Sequence, residues 1–452
     1  MTIRPIRDYA EAVEYLERLV ATPVLNSPGA GLERARLMLS AVGDPHLRFQ
    51  TVHVTGSSGK GSTSAMVASI LRAAGYHTGS FSSPHLEEYT ERIAVDGEPI
   101  AGSDWTRLLN HLRPIVEEMA DGTLPGYSLG RPALLQVLWP MAALYFAERR
   151  VQVAVVEVGM GGRYDSTRAN NARVAVLTNV SLEHTQILGP GIADIAYHKA
   201  GVAPRGGILV TAAGHPEALP VIRAECERVG AALWRVGDDA ETEVRYSGDE
   251  GNLDVVTPLR RHRGLRLALA GRHQRANAAC AVAAVDALQT LGLADVSPEA
   301  IRRGLLLTSI AGRLERVGDN PVTYLDGAHN PDAARALATA LGDLFPGRRI
   351  VLLLGILGDK DIAAMVEALA PLAAALVVTE PPWAGRMGHG AEVVAAARAY
   401  LDTVGLEPDV GSALDQARAR AQAWGLPLVV TGSLILVGAV RRLLRDHREL
   451  LD

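Results

Sequence analysis

Short apolar runs and helix-period segments alternate along most of this chain, the pattern of an α/β protein. Residues 49–54 alternate apolar and polar positions and read as a strand entering a buried sheet. Residues 65–75 follow with helical period and close on Gly75. Upstream, 6–20 predict an amphipathic helix, 26–31 a loop and 32–42 a second helix. Residues 134–149 predict a long buried helix leading to an apolar strand at 151–156, with another strand at 172–178. Strand and helix alternate from 208 to 236, and the more polar, β-like stretch 237–269 reads as an excursion at a sheet edge. An alanine-rich helix then runs to Leu291, while 302–313, weak in periodicity, is expected to connect two domains. Beyond it, 322–325, 350–354, 375–379 and 428–430 read as strands, with a helix at 332–344. The pattern predicts a larger domain over 1–308 and a smaller one over 309–452 with the βαβ alternation of a small dinucleotide-type sheet.

Chemistry enters where the first strand ends. Thr55-Gly56-Ser57-Ser58-Gly59-Lys60-Gly61-Ser62-Thr63 is a glycine-rich turn between a strand and a helix. Small residues let backbone N–H groups converge on phosphates, and the helix N-terminus adds positive potential. Lys60 would reach the β- and γ-phosphates, and Ser62 or Thr63 would place a hydroxyl on Mg²⁺. The full P-loop pattern has a glycine where Val54 stands, so this is the shorter Gly-x-x-Gly-Lys-Gly-Ser form.

Three further stretches stand at predicted sheet edges, where open α/β sheets bind ligands. Glu157 ends the strand 151–156 and is followed by Gly159, Gly161 and Gly162. His184 follows the strand at 172–178, and Lys199 closes a helical segment just before Pro204. An ordered loop at 79–93, punctuated by Ser82-Ser83-Pro84, carries Arg92. No Gly-x-Gly-x-x-Gly follows the later strands, so a nicotinamide site is not indicated.

Composition narrows the class without naming it. Hydrophobic residues make up 48% and charged residues 21%, ordinary values for a globular protein. A formal charge of −5 without a basic run gives no nucleic-acid surface. The two cysteines lack metal or redox spacing and fit a reducing compartment. The charged N-terminal helix excludes a signal peptide, and no stretch is long and apolar enough to span a bilayer. A cytoplasmic monomer with small-molecule partners is expected, engaging neither membrane nor nucleic acid.

In order and over nearly the whole length, these blocks resemble the folylpolyglutamate synthase and dihydrofolate synthase family of the Mur ligases. The resemblance rests on the loop Gly56–Thr63 and on Ser82-Ser83-Pro84-His85-Leu86 with Thr90-Glu91-Arg92. It continues through Glu157-Val158-Gly159-Met160-Gly161-Gly162-Arg163 with Asp165, then His184 and Lys199-Ala200-Gly201. Gly271, Gln274, Asn277, Gly312-Arg313-Leu314-Glu315, Asp326-Gly327-Ala328-His329-Asn330-Pro331, Asp359-Lys360-Asp361 and Thr431-Gly432-Ser433 complete it. It implies an N-terminal P-loop ATPase domain and a smaller C-terminal Rossmann-like glutamate ligase domain. It also implies a reaction: ATP phosphorylates a substrate carboxylate, and the amino group of L-glutamate displaces phosphate to form an amide.

By the same resemblance, Gly56, Ser57, Ser58, Gly59, Lys60 and Gly61 hold the phosphates of ATP, which Arg313 also meets. Ser62 or Thr63 with Glu157 holds one Mg²⁺, and Ser82, Glu157 and His184 hold a second. Lys199 matches a lysine that the family carbamylates. Asn277 meets the adenine and Asp326 the ribose, while His329 and Ser433 face the incoming amino acid. Arg92, Ala133 and Gln136 fall on the side of the folate-like acid.

The departures concentrate on that acid. The family's Thr-x-Phe-Glu block is replaced by Ala133-Leu134-Leu135-Gln136, which removes a hydroxyl, an aromatic ring and a carboxylate. Ser57-Ser58, Glu183, Arg168 and His198 also stand where other residues are usual. Glutamate addition to a reduced folate is therefore expected, with dihydropteroate a weak substrate. Two alternatives stay open: a ligase of the same mechanism for a non-folate acid, and a non-catalytic nucleotide-binding protein.

Overall fold

The computed structural model describes residues 4–21, 29–124, 127–237, 242–248, 252–358, 360–382 and 389–449. Residues 26–28 of the expected loop, and Asp359, lie outside the described residues. The chain forms two compact units. One takes residues up to 85, 89–268 and 274–308; the other takes Leu86–Glu88, Leu269–His273 and the chain from Ser309 onward.

The first unit is built on a sheet whose strands are, in chain order, β1 (Gln50–Thr55), β2 (Thr78–Phe81), β3 (Ile93–Val95), β4 (Glu98–Pro99), β5 (Val153–Glu157), β6 (Val174–Leu177), β7 (Ile208–Thr211), β8 (Ala232–Gly237), β9 (Val244–Gly248), β10 (Leu253–Val256) and β11 (Arg261–Leu265). In space they lie in the order β11-β10-β9-β8-β7-β6-β1-β5-β2-β3-β4. The strands from β9 to β2 run parallel. Antiparallel neighbours extend both edges. Strands β5, β6 and β7 are buried along their whole length, as a sheet covered on both faces requires. The polar positions of β1 beyond Gln50 are buried too, and two of them find internal partners: His53 Nε2 lies 2.9 Å from Thr167 Oγ1, and Thr55 donates to the Gly161 carbonyl at 2.6 Å. The alternation read from the sequence therefore marks a buried polar face, not a solvated one.

Register sets up the site. Val54 pairs with Glu157, Thr55 with Leu177 and Phe81 with Val156. The carboxyl ends of neighbours β6, β1, β5 and β2 thus lie side by side, and each opens into a stretch with candidate residues. The row Phe81–Val156–His53–Ala175–Leu209 shows that the core with Trp105, Trp139 and Phe146 and the core with Ile195, Ala196 and Ile222 cover the same face, the first at β2 and β5, the second at β6 and β7.

The expected connection at 302–313 contains the boundary between the units, after Thr308, but is not irregular throughout. A helix, Pro298–Leu307, occupies its first half, started by Ser297 Oγ accepting from Ala300 N at 3.1 Å and by Pro298 at its first turn. It buries Ala300, Ile301, Gly304 and Leu305, a helical stripe that a window opened at 302 cuts in two. It lies flush on the helix Lys60–Ala73: a β-carbon on Gly304 would sit 2.4 Å from Ile70 Cα.

In the second unit the strands are β12 (Glu315–Asp319), β13 (Val322–Leu325), β14 (Ile350–Leu354), β15 (Ala373–Val378), β16 (Val404–Leu406) and β17 (Leu428–Thr431), in the order β12-β13-β17-β14-β15-β16. All neighbours but β12 and β13 are parallel. Again the candidate residues follow carboxyl ends: Asp326 after β13 and Ser433 after β17, on adjacent strands. Among the described residues no helix is long and apolar enough to cross a membrane.

Candidate active site

The helix after β1 begins at Lys60, five residues earlier than its periodicity suggests, so Lys60, Gly61, Ser62 and Thr63 form its first turn. Gly56 and Gly59 both have positive φ, 150° and 79°. A β-carbon on Gly56 would fall 1.8 Å from Thr178 Oγ1, and one on Gly59 would fall 2.4 Å from Asn277 Oδ1. The loop is laced to the segment after β6. Ser58 N donates to Asn179 Oδ1 at 2.8 Å, Thr178 Oγ1 donates to the Ser58 carbonyl at 2.5 Å, and Ser57 Oγ accepts from Ser181 N at 2.9 Å. Ser57 and Ser58 are thus working parts of a braced loop, although they depart from the family's usual pair. Lys60 Nζ donates to the Gly56 carbonyl at 2.8 Å. Gln274 Nε2 reaches Ser62 Oγ at 3.3 Å and receives Asn277 Nδ2 on its own Oε1 at 2.9 Å, so Asn277 is held directly over the loop.

Glu157 is 5% exposed, and a β-carbon on Gly61 would come within 3.9 Å of its Oε2. Ser82, beyond β2, donates its N–H to the Arg92 carbonyl at 3.0 Å, which closes the loop between them. Arg92 is buried, lies 5.5 Å from the Tyr89 ring centroid and donates Nε–H to His85 Nδ1 at 2.8 Å. Burial, with Arg92 adding to it, pushes the His85 pKa down to about 4. A neutral imidazole whose Nδ1 accepts keeps its proton on Nε2.

Lys199 is 1% exposed at the end of the helix Ile192–Ala200, and its Nζ lies 2.5 Å from Glu183 Oε1. Burial lowers its pKa to about 8, with Glu183 opposing and Lys60 assisting the fall. His184 follows Glu183, exposed, with a left-handed backbone (φ 45°).

On the acceptor side, Gln136 Oε1 accepts from Ala133 N at 2.9 Å and caps the helix Leu134–Glu148. Ala133 has no oxygen to return the bond, so only half of a capping box exists. Arg34, fully buried, approaches the same Oε1 at 3.5 Å and donates Nε–H to the Leu129 carbonyl at 3.2 Å. The Gln136 amide nitrogen is left to face Gly31, whose β-carbon would stand 2.8 Å from it.

In the second unit both Asp326 oxygens are engaged, Oδ2 by Leu314 N at 3.0 Å and Oδ1 by Ala328 N at 2.9 Å. Burial raises its pKa, against the pull of Arg313 and these N–H groups. Asp326 thereby fixes the turn that bears Arg313. His329 donates Nδ1–H to the Gly327 carbonyl at 2.8 Å, and Ser433 Oγ accepts from Leu436 N at 3.1 Å.

Sequence reasoning passed over Thr178 and Asn179 as braces and Glu183 as the partner of Lys199. One signal was available for the lysines. The chain has three, Lys60, Lys199 and Lys360, against 42 arginines. Where arginine is the default cation, a lysine marks a position that needs a compact ammonium or an amine able to lose its proton.

Two family models match this chain: the Mur ligase middle domain over residues 136–285, and the Mur ligase glutamate ligase domain over 312–434. The dihydrofolate synthase/folylpolyglutamate synthase of Bacillus subtilis is 37% identical over 350 residues, 76% of this chain and 80% of that one. Mycobacterium tuberculosis folylpolyglutamate synthase, solved with ADP and AMPPCP, superposes with a TM-score of 0.86 at 31% identity, covering 97% of this chain and 99% of that one. The bifunctional folylpolyglutamate synthase/dihydrofolate synthase of Yersinia pestis, solved with AMPPNP and a manganese ion, gives 0.83 at 27% identity over 98% of this chain and 100% of that one.

Proposed function

The chain belongs to the folylpolyglutamate synthase/dihydrofolate synthase family of the Mur ligases, and from that premise we propose how its own residues perform the family's reaction. It is an ATP-dependent ligase that joins L-glutamate to a folate carboxylate through an acyl phosphate. The observation that carries the residue assignment is the adjacency of the β6, β1, β5 and β2 carboxyl ends. That order puts the braced glycine-rich loop, the buried Glu157 and the Ser82 loop on neighbouring strands.

The backbone N–H groups of Gly56–Gly61 and the Lys60 ammonium bind the ATP phosphates, with Arg313 adding charge in the transition state. Asn277 meets the adenine and Asp326 the ribose. The residues present fit a divalent cation. Thr63 Oγ1 is buried without a hydrogen-bond partner, Ser62 Oγ accepts only a long bond, and Glu157 is a buried carboxylate nearby. Among the described residues no three His, Cys, Asp or Glu side chains form a cage, which suits Mg²⁺, an ion that shares its shell with phosphates and water. Ser62, Thr63 and Glu157 would hold one Mg²⁺, and Ser82, Glu157 and His184 a second. Bound there, the ions neutralise charge on the transferring phosphoryl group.

Lys199 carries a carbamate in the working enzyme. Its neutral amine attacks CO₂, forms an N–C bond and releases a proton, and the lowered pKa supplies that neutral amine near pH 8. His329 and Ser433 orient glutamate. Arg92 meets an anionic group of the acid, and the Gln136 amide donates to it from beside Ala133. Because Leu135 offers no ring on which the flatter dihydropterin could stack, the puckered pterin of a tetrahydrofolate is favoured over dihydropteroate. The protein acts as a cytoplasmic monomer. The test is a substrate panel with purified protein. ADP release that requires both acid and glutamate, with an amide product of the added-glutamate mass, is expected; ADP release independent of either would overturn the assignment.

A further inference from the structure

We propose that Arg163, keyed by Glu225, is a positioning residue that holds Lys199 in place; this rests on the reading that Lys199 works at the reaction centre. Arg163 follows two glycines, which sequence reading assigns to a ligand-facing turn. In the structure that turn is pressed against the end of the helix Ile192–Ala200. A β-carbon on Gly162 would lie 3.0 Å from the Lys199 carbonyl and 3.1 Å from that of His198, and one on Gly201 would lie 2.3 Å from Arg163 Cβ.

Arg163 then binds the residues that bracket Lys199. Its N–H donates to the His198 carbonyl at 2.7 Å, its Nε–H to the Tyr197 carbonyl at 3.1 Å, and its guanidinium lies 4.0 Å from the Tyr197 ring centroid. Last-turn carbonyls of a helix are the groups a cation satisfies best. The remaining edge of the guanidinium pairs with Glu225, Nη2 to Oε2 at 2.9 Å, from the helix Ala218–Val229. Glu225 is itself only 7% exposed and is also paired with Arg228. Arg163 has its planar fork committed on three sides and is 15% exposed, so it is not built as a substrate ligand. With carbonyls 197 and 198 pinned, the Lys199 side chain is aimed at Glu183.

The test uses Glu225→Gln, which keeps shape and removes the charge, and Arg163→Met, which keeps the stem and the backbone N–H to His198 but removes the guanidinium contacts with the Tyr197 carbonyl and Glu225. Arg228→Ala is the control, since Arg228 pairs with Glu225 while the bonds to the Tyr197 and His198 carbonyls come from Arg163. Each folded variant is acylated with a limiting amine reagent, and the ratio of Lys199 to Lys360 modification is read by peptide mass. Lys199 is shielded in the parent chain. In Glu225→Gln and Arg163→Met its relative labelling should rise about tenfold, while kcat falls about tenfold to a hundredfold with KM for ATP little changed. Arg228→Ala should alter neither. Unchanged labelling with lost turnover would overturn the positioning role and leave that of Lys199 standing. Raised labelling with unchanged turnover would remove Lys199 from the reaction and the proposal with it.

Discussion

Lys199 is the residue in which burial and chemistry are most tightly joined. Its amine is held near pKa 8 by burial, so between about pH 8 and the 10.5 of an ordinary lysine the unfolded chain carries a proton that the folded chain lacks. Stability from this group therefore rises with pH across that window and is lowest below it. Denaturant midpoints at pH 7.5 and 9.5, in CO₂-free buffer, should rise more for the parent chain than for Lys199→Met. Equal increments would show that Glu183 and Lys60 already balance the group. Lys60 carries a different expectation. Lys60→Ala should fold normally, since its hydrogen bond is to its own loop, and lose about 10²–10³ in ligation rate. Near-parental turnover in that variant would sink the phosphate-loop assignment. These residues were legible because glycine, lysine and hydroxyl stand in fixed order after a strand. Glu183 was not, because a carboxylate in a polar loop carries no mark of the amine it will meet.

At the scale of elements, what reads well is what is buried on its own terms. Strand β14 matches its apolar run residue for residue, since a parallel strand covered on both faces is continuous in sequence, while β13, beside antiparallel β12, shows the alternation of a strand with one face covered. The short β3, β4 and β16 escape notice because three residues or fewer hold no period. The helix Pro298–Leu307 shows another way to miss an element: its stripe depends on a glycine. Gly304 has no apolar side chain to count, yet it is the point of closest approach to the helix that begins with Lys60. Ser69 Oγ also donates to the Gly304 carbonyl at 2.7 Å. Gly304→Ala should force these helices apart and cost about 1–3 kcal/mol in denaturant unfolding. The strain falls on the element that carries the phosphate loop, so ATP should also bind more weakly. A variant as stable as its parent would mean that Ile70 yields freely.

At the scale of the whole molecule, each unit has its own sheet and core, but the chain does not divide into consecutive halves. Leu86–Glu88 belongs to the second unit although both its flanks belong to the first. A β-carbon on Gly438 would lie 2.1 Å from the Leu86 carbonyl oxygen, so the segment is packed flush against the C-terminal helix. Glu87 pairs with Arg441 and with Arg445 at 2.9 Å, and its carbonyl accepts from Arg442 at 3.1 Å. Arg441 holds Glu315 as well, at 3.0 Å, in the turn that bears Arg313. Both paired arginines keep partial contact with water, so Glu87→Ala should cost less than the ~3–5 kcal/mol of a fully buried pair, about 1–3 kcal/mol. The loss should appear as a lower melting point of the second unit, read by proteolysis across 309–452. A residue range cut cleanly at 308 would misjudge this, because sequence periodicity cannot show that a loop tip is lent to another core.

That loan also imposes an order on synthesis. The ribosome releases the segment between Ser82 and Arg92 long before it makes the C-terminal helix, and domains fold as they emerge. Until Arg441 and Arg445 exist, Glu87 waits as a solvated carboxylate at the tip of an unfinished loop. One stem carries Ser82, assigned to a metal ion, and the other Arg92, assigned to the acid. A nascent chain that has not yet reached the helix Leu434–Glu449 therefore lacks the partners that complete this loop, so the loop settles only after that helix has been made.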